Sequence, residues 1–211
     1  MNKCLIITSH VDAIEKLAIN SADYDCVICA DGGLLVANKL KITPDLLIGD
    51  YDSMAMPENT DLIKLPMEKN MTDSEAAIDL AVSKGYDDIT VLGGLGGRFD
   101  HTMGNIGMLA KYSGSNTGLA FVDGCNRVFM LEPGTYEIPK SDHRYLGLIA
   151  YGGTVTSLTI KGVKYPLVNH LLTDDTTLGV SNEILSDSAH LNFRKGRLLV
   201  ILSSDVDNQQ I

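Results

Sequence analysis

The chain is 211 residues long and 45% hydrophobic, enough for one large domain or two small ones with a sizeable buried core. Its 27 acidic residues outweigh 17 basic ones, for a formal net charge of -10. That balance argues against a nucleic-acid partner or an anionic membrane surface, so an anionic substrate needs local cations or a metal.

The four cysteines, at 4, 26, 29 and 125, include one CxxC spacing inside the apolar stretch from Cys26 to Cys29. With no second such pair, a zinc site is not indicated, and buried reduced thiols in a cytoplasmic protein are the expectation. The opening run from Cys4 to Thr8 is too short for a signal peptide, and no apolar run reaches the roughly 18 residues of a membrane span.

Up to about residue 122 short β-rich runs alternate with helical ones. Strands are expected over Cys4 to Thr8, Cys26 to Ala30, Leu46 to Ile48, Asp61 to Leu65, Ile89 to Leu92 and Leu119 to Val122. Amphipathic stretches run over Val11 to Ile19, Gly33 to Leu40, Ser74 to Lys84 and His101 to Tyr112. Such alternation implies crossover units and a mostly parallel sheet. The third helix has the clearest boundaries: Thr72 and Glu75 have capping-box spacing, and Gly85 is placed to end it.

After Asp123 the pattern changes to short alternating runs, at Arg127 to Leu131, Tyr145 to Ala150, Thr154 to Ile160, His190 to Phe193 and Leu198 to Leu202. Strict alternation through Thr154 to Ile160 gives no cleanly apolar face, although its β-branched content favours a strand. Lys195-Gly196 between two strand candidates reads as a hairpin turn, and Ser203 to Ile211 as a frayed tail. The expected division is an α/β domain over 1–125 and an all-β domain over 126–211.

Four acidic or glycine-rich stretches fall where β-runs of the first domain end. Asp31-Gly32-Gly33 would let a backbone approach a phosphate at a helix N-terminus, or be only a turn. Gly49-Asp50-Tyr51-Asp52-Ser53 follows the apolar run Leu46 to Ile48. If strand geometry persists, Asp50 and Asp52 point to one side about 6.5 Å apart, from a rise of about 3.3 Å per residue. A hard cation such as Mg²⁺ would relieve their repulsion; a solvated turn is the alternative.

In Lys69-Asn70-Met71-Thr72-Asp73, the acid sits at a helix start, where it complements the helix dipole with or without a ligand. The stretch Gly93-Gly94-Leu95-Gly96-Gly97-Arg98-Phe99-Asp100-His101 holds four glycines in five residues, followed by a cation. It suits phosphate binding, with Arg98 offering a fork of donors, but matches neither a Walker A loop nor GxGxxG. Asp100 can also be a helix cap, and His101 and Asn105 can simply face a polar edge. A parallel sheet would gather these loops at one edge, where like charges raise one another's pKa unless metal and phosphate are present.

In order, Asp31-Gly32-Gly33, Gly49 to Ser53, Thr72-Asp73-Ser74-Glu75, Gly97-Arg98-Phe99-Asp100-His101 with Asn105, and Val180-Ser181-Asn182-Glu183 resemble the motifs of the thiamine pyrophosphokinase family. The resemblance spans nearly the whole chain. It implies a Rossmann-like α/β catalytic domain, a C-terminal β-sandwich that binds thiamine, and a homodimer with thiamine sites at the subunit interface. It further implies Mg²⁺-dependent transfer of pyrophosphate from ATP to the thiamine hydroxyl, leaving AMP.

Carried over, Asp50, Asp52 and Asp73 bind Mg²⁺ and the triphosphate, and Arg98 and Asp100 complete the catalytic group. Asp31, Gly32, Gly33, Lys69, Thr72, Gly96, Gly97, His101 and Asn105 fall in the ATP site, and Ser181 and Asn182 contact thiamine. The chain departs from the family in having Asn70 and Met71 before Thr72, and no Trp to stack on thiamine. Two other readings use the same residues: a metal-dependent phosphohydrolase with water as nucleophile, and a non-catalytic nucleotide or thiamine-diphosphate sensor.

Overall fold

The computed structural model describes residues 1–49, 61–64 and 70–205. The chain divides into two compact units, Met1–Gly124 and Cys125–Ile211.

In the first unit the strands are β1 (Lys3–Ile7), β2 (Cys26–Ala30), β3 (Leu46–Gly49), β4 (Asp61–Lys64), β5 (Asp88–Leu92) and β6 (Gly118–Val122). They lie in the order β4-β3-β2-β1-β5-β6, every pair parallel. The helices are α1 (Gly33–Leu40), α2 (Asp73–Ser83) and α3 (Phe99–Tyr112). From β1 the chain steps outward one way to β4, then returns past β1 to add β5 and β6 on the other side. Right-handed crossovers therefore put α1 on one face, and α2 and α3 on the other. Accordingly Leu34, Val36 and Ala37 of α1 share a core with Leu5, Ile7, Val27 and Cys29. Cys4, Ile6 and Ile28, between those strand positions, are equally buried, and α2 packs on β1, β2 and β3. Burial on both faces is why these strands read as continuous apolar runs.

The helix ends follow the sequence signals. Thr72 Oγ1 accepts the Glu75 amide at 3.1 Å, as an N-cap should. Gly85, at φ 85°, closes α2: the Gly85 amide donates to the Val82 carbonyl and the Tyr86 amide to the Ala81 carbonyl, the two bonds of a Schellman motif.

The stretch from Val11 to Ile19 is not the helix that its spacing suggested; it holds only the short 3₁₀ turn Ile14–Lys16. Ala13 takes a left-handed φ of 47°, and the His10 and Asp12 carbonyls accept from the Gly94 and Gly124 amides instead of from a next helical turn. Val11, Ile14, Leu17 and Ile19 still pack on the core, so the apolar spacing reports burial of an irregular segment.

The second unit has β7 (Asn126–Leu131), β8 (Gly134–Pro139), β9 (Tyr145–Ala150), β10 (Val155–Lys161), β11 (Leu167–Leu172), β12 (Ser188–Phe193) and β13 (Leu198–Ser203). β13 pairs antiparallel with β7 and β9, while β11-β10-β12-β8 form a second antiparallel sheet. Leu146, Leu148, Leu198 and Val200 from the first share one core with Leu158, Ile160, Leu191 and Phe193 from the second, which makes a sandwich. Lys195-Gly196 is not a hairpin turn, because β12 and β13 belong to different sheets. Arg194 and Lys195 instead exchange hydrogen bonds with Thr156, and the turn carries the chain between layers.

Candidate functional site

β1 has β2 on one side and β5 on the other, and the chain leaves these strands in opposite directions. In parallel sheets the crevice at such a switch point, beyond the carboxyl ends of the strands, is where ligands bind. A cavity of about 250 Å³ opens there, lined by Thr8, Ser9 and His10 after β1, by Gly94, Gly96, Gly97 and Arg98 after β5, by Ser74 of α2, and by His101 and Asn105 of α3. It is smaller than the roughly 300–1,000 Å³ of a site enclosing a drug-sized ligand, so it suits one end of a larger molecule.

That end is anionic by the chemistry of the lining. Ser74 and Arg98 stand at the starts of α2 and α3, where unpaired amides and the helix dipole favour negative charge. The glycine loop is shaped by close backbone approach. Gly93 has φ 92°, and a Cβ there would lie 2.1 Å from the His10 carbonyl oxygen. Gly94 has φ 75°, and the buried Asn105 Nδ2 donates to its carbonyl at 2.8 Å. Asn105 thus holds the loop from behind.

Arg98 and Asp100 form a two-pronged pair: Nε donates to Oδ1 at 3.1 Å and the other prong closes at 2.6 Å. Both are largely exposed. The guanidinium, with help from the His101 amide, holds the Asp100 carboxyl below the usual carboxylate range, and Asp100 in turn raises Arg98. A phosphate arriving at the cavity competes with Asp100 for the same fork of donors.

Of the residues singled out from the sequence, Gly96, Gly97, Arg98, His101 and Asn105 meet at this cavity. Asp31, Gly32 and Gly33 do not line it. Asp31 takes φ 50° after β2, and a Cβ on Gly33 would stand 2.0 Å from the Ile7 carbonyl oxygen, so that glycine lets α1 seat on the end of β1. Thr72 is spent on the helix cap. Asp73 opens α2 beside Ser74. Asp50, Asp52 and Lys69 lie outside the described residues. Among the described residues no three His, Cys, Asp or Glu side chains group to hold a metal. The carboxylate set Asp50, Asp52 and Asp73 nevertheless has the hard oxygen chemistry that Mg²⁺ requires.

In the second unit Asn182 is buried, and its side chain is committed to backbone: Oδ1 accepts from Tyr165 and Glu183 amides at 3.0 and 2.9 Å, and Nδ2 donates to the Tyr165 carbonyl at 2.9 Å. Ser181 beside it is exposed at φ 60°, a conformation that a serine seldom takes. Sequence reasoning missed Thr8, Ser9 and His10 as cavity residues, whereas Gly94 lay in the glycine stretch and Ser74 in the Thr72–Glu75 motif that it singled out. For the three missed, the signal available was their place after the first strand of a parallel sheet.

All four cysteines are buried, reduced thiols, and burial pushes the Cys29 thiol up to about 12. No helix among the described residues is long and apolar enough to cross a membrane.

Residues 17–121 match the family model described as thiamin pyrophosphokinase, catalytic domain, and residues 135–198 match thiamin pyrophosphokinase, vitamin B1 binding domain. The chain is 35% identical over 200 residues to thiamine pyrophosphokinase of Bacillus subtilis, covering 91% of this chain and 94% of that protein. It is 26% identical to thiamin pyrophosphokinase 1 of Caenorhabditis elegans, covering 97% and 89%. The crystal structure of the Bacillus subtilis enzyme superposes with a TM-score of 0.85 at 30% identity, covering 98% of this chain and all of that one. Thiamin pyrophosphokinase of Geobacillus thermodenitrificans gives 0.83 at 30% identity, covering 97% and 99%.

Proposed function

The chain belongs to the thiamine pyrophosphokinase family of diphosphotransferases, and from that premise we propose that it transfers pyrophosphate from ATP to the hydroxyl of thiamine, giving thiamine diphosphate and AMP. The observation that carries the proposal is the switch-point cavity, where a four-glycine loop, Arg98 and two helix starts favour a polyphosphate. The family gives no support to a hydrolase or a sensor in its place.

In the reaction we propose, the thiamine hydroxyl oxygen forms a bond to the β-phosphorus in line with the bond that breaks. That second bond joins the β-phosphorus to the oxygen bridging to the α-phosphorus, which leaves with its electron pair on AMP. Little covalent chemistry is asked of the protein, so catalysis rests on positioning and charge. The amides of the glycine loop and the start of α2 hold phosphate oxygens, and Arg98 turns from Asp100 to the phosphate side as charge develops. Asp50, Asp52 and Asp73 would hold Mg²⁺, which when bound offsets charge on the bridging oxygens. The hydroxyl proton goes to Asp73 or Asp100.

Ser181 is our candidate thiamine contact, its strained backbone held in place by the buried Asn182. We further propose a homodimer in the cytoplasm. Val168, Leu171, Leu178, Val180 and Leu185 are all half or more exposed within 18 residues of chain (168–185), an apolar surface suited to a second copy.

The test is to separate the nucleotides after incubating ATP and Mg²⁺ with and without thiamine. Thiamine-dependent AMP is the expected result; ADP and phosphate without thiamine would overturn the reading. Asp52→Asn should lower turnover by orders of magnitude in a folded chain. Light scattering should give twice the chain mass, reduced to one chain by Leu171→Asp.

A further inference from the structure

One residue that lines the cavity, His10, is paired with Asp12, and both lie before residue 17, where the match to the catalytic-domain model begins. His10 Nε2 is 3.0 Å from Asp12 Oδ1, and both side chains are half exposed. The pair is built into the glycine loop. A Cβ on Gly96 would stand 2.0 Å from Asp12 Oδ2, and one on Gly97 would lie 3.4 Å from His10 Cδ2 and 3.5 Å from Cγ. The imidazole therefore lies against the Gly96-Gly97 ridge, and the Asp12 carboxylate occupies the space that a side chain at 96 would enter. The backbone is fixed as well, since the Gly94 amide donates to the His10 carbonyl at 3.2 Å.

A carboxylate only accepts, so Nε2 carries a proton and donates it to Asp12. The other ring nitrogen, Nδ1, has no partner among the described residues. An imidazolium donates from both ring nitrogens, so with Nε2 on Asp12 the donor that would meet an oxyanion is Nδ1. The same carboxylate-imidazole arrangement fixes ring orientation at metal and catalytic sites. We propose that His10 is a binding residue for the polyphosphate end of the nucleotide, and that Asp12 is a positioning residue that acts through it. This rests on the assignment of the cavity to ATP. Arg98 and His10 both line the cavity, so that the acidic chain meets its most anionic substrate with two side-chain donors.

The experiment compares binding of ATP and of AMP by titration calorimetry to wild type, His10→Ala and Asp12→Asn, with KM for ATP and for thiamine measured separately. His10→Ala should weaken ATP roughly tenfold, the loss of one charge-assisted hydrogen bond at about 1.4 kcal/mol per decade. AMP affinity and the thiamine KM should be unchanged. Asp12→Asn keeps an acceptor for Nε2 without its charge, and should give a smaller loss in the same direction. Unchanged ATP affinity in His10→Ala would overturn the proposal, as would equal weakening of ATP and AMP, which a merely structural role would produce. Wild type that binds ATP without forming AMP would defeat the proposed reaction while leaving the His10 comparison measurable. Wild type that does not bind ATP would overturn both.

Discussion

Gly93 and Gly85 provide a matched pair for testing how tightly the loop after β5 is built. Their φ angles are 92° and 85°, so an alanine at either carries nearly the same backbone strain. Their surroundings differ completely. Nothing lies within 4 Å of a Cβ on Gly85, whereas one on Gly93 meets the His10 carbonyl oxygen at 2.1 Å, Thr8 Oγ1 at 2.4 Å and Val11 Cγ2 at 3.0 Å. The left-handed conformation costs about 1–2 kcal/mol for a side chain, offset by about 0.4–1 kcal/mol from a stiffer unfolded chain. Gly85→Ala should therefore lose about 1 kcal/mol. At Gly93 overpacking adds about 1–3 kcal/mol, for a total of about 2–4 kcal/mol. On a chain of this length 1 kcal/mol moves Tm by about 2–4 °C, so Gly93→Ala should melt about 4–16 °C below wild type and Gly85→Ala about 2–4 °C below. Thermal unfolding followed by circular dichroism reads both in the same unit. AMP formation should fall in Gly93→Ala, because His10 is displaced, and be kept in Gly85→Ala. Equal losses of Tm in the two variants would refute the reasoning, because at similar φ it is the approach of the segment from Thr8 to Val11 that should make Gly93 the costlier site.

Arg98→Ala should lower AMP formation by about 10²–10³, the usual scale for removing one donor from a developing charge, and Arg98→Lys should recover only part because it lacks the fork. The stability of the first unit should fall in alkali. The Cys29 thiol is raised from 9.0 to about 12 in the fold, so the stability it contributes is complete below pH 9.0 and is lost as pH rises towards 12. Urea unfolding of Cys29→Ala, which has no thiol proton to lose, should show a shallower decline with pH than wild type. Lys41 is exposed and takes φ 57° at the end of α1. Lys41→Gly should consequently raise stability by about 1 kcal/mol in the same titration.

What could be read in advance was what packing writes into the chain. The parallel strands were legible because both faces of the sheet are buried, and α1 and α2 because Leu34 and Ala37, and Ala77 and Ala81, recur at helical spacing, in α2 with a cap signal at Thr72 as well. The second sheet of the sandwich was harder. β8 alternates, with Tyr136 and Ile138 turned inward and Thr135, Glu137 and Pro139 outward, but its glycine, glutamate and proline are poor strand formers, and in β11 only Leu172 is fully buried, so neither Gly134–Pro139 nor Leu167–Leu172 announced a strand.

β10 shows why a strict period of two fails. Ser157 sits at φ 57° and the pairing with β11 shifts register there, so Val155 and Leu158, three apart, both reach the core. One extra residue in a strand reverses the faces beyond it, and no composition rule marks where that residue falls. The site divides in the same way. Arg98 and its glycines form a recognisable run, but the space they leave is filled by His10 and Asp12, more than 80 residues earlier in the chain. The glycine at 96 looks like freedom for a phosphate when read alone; beside the Asp12 carboxylate it is first of all room for a neighbour. A loop rich in glycine thus states that something comes close, and only the fold states what.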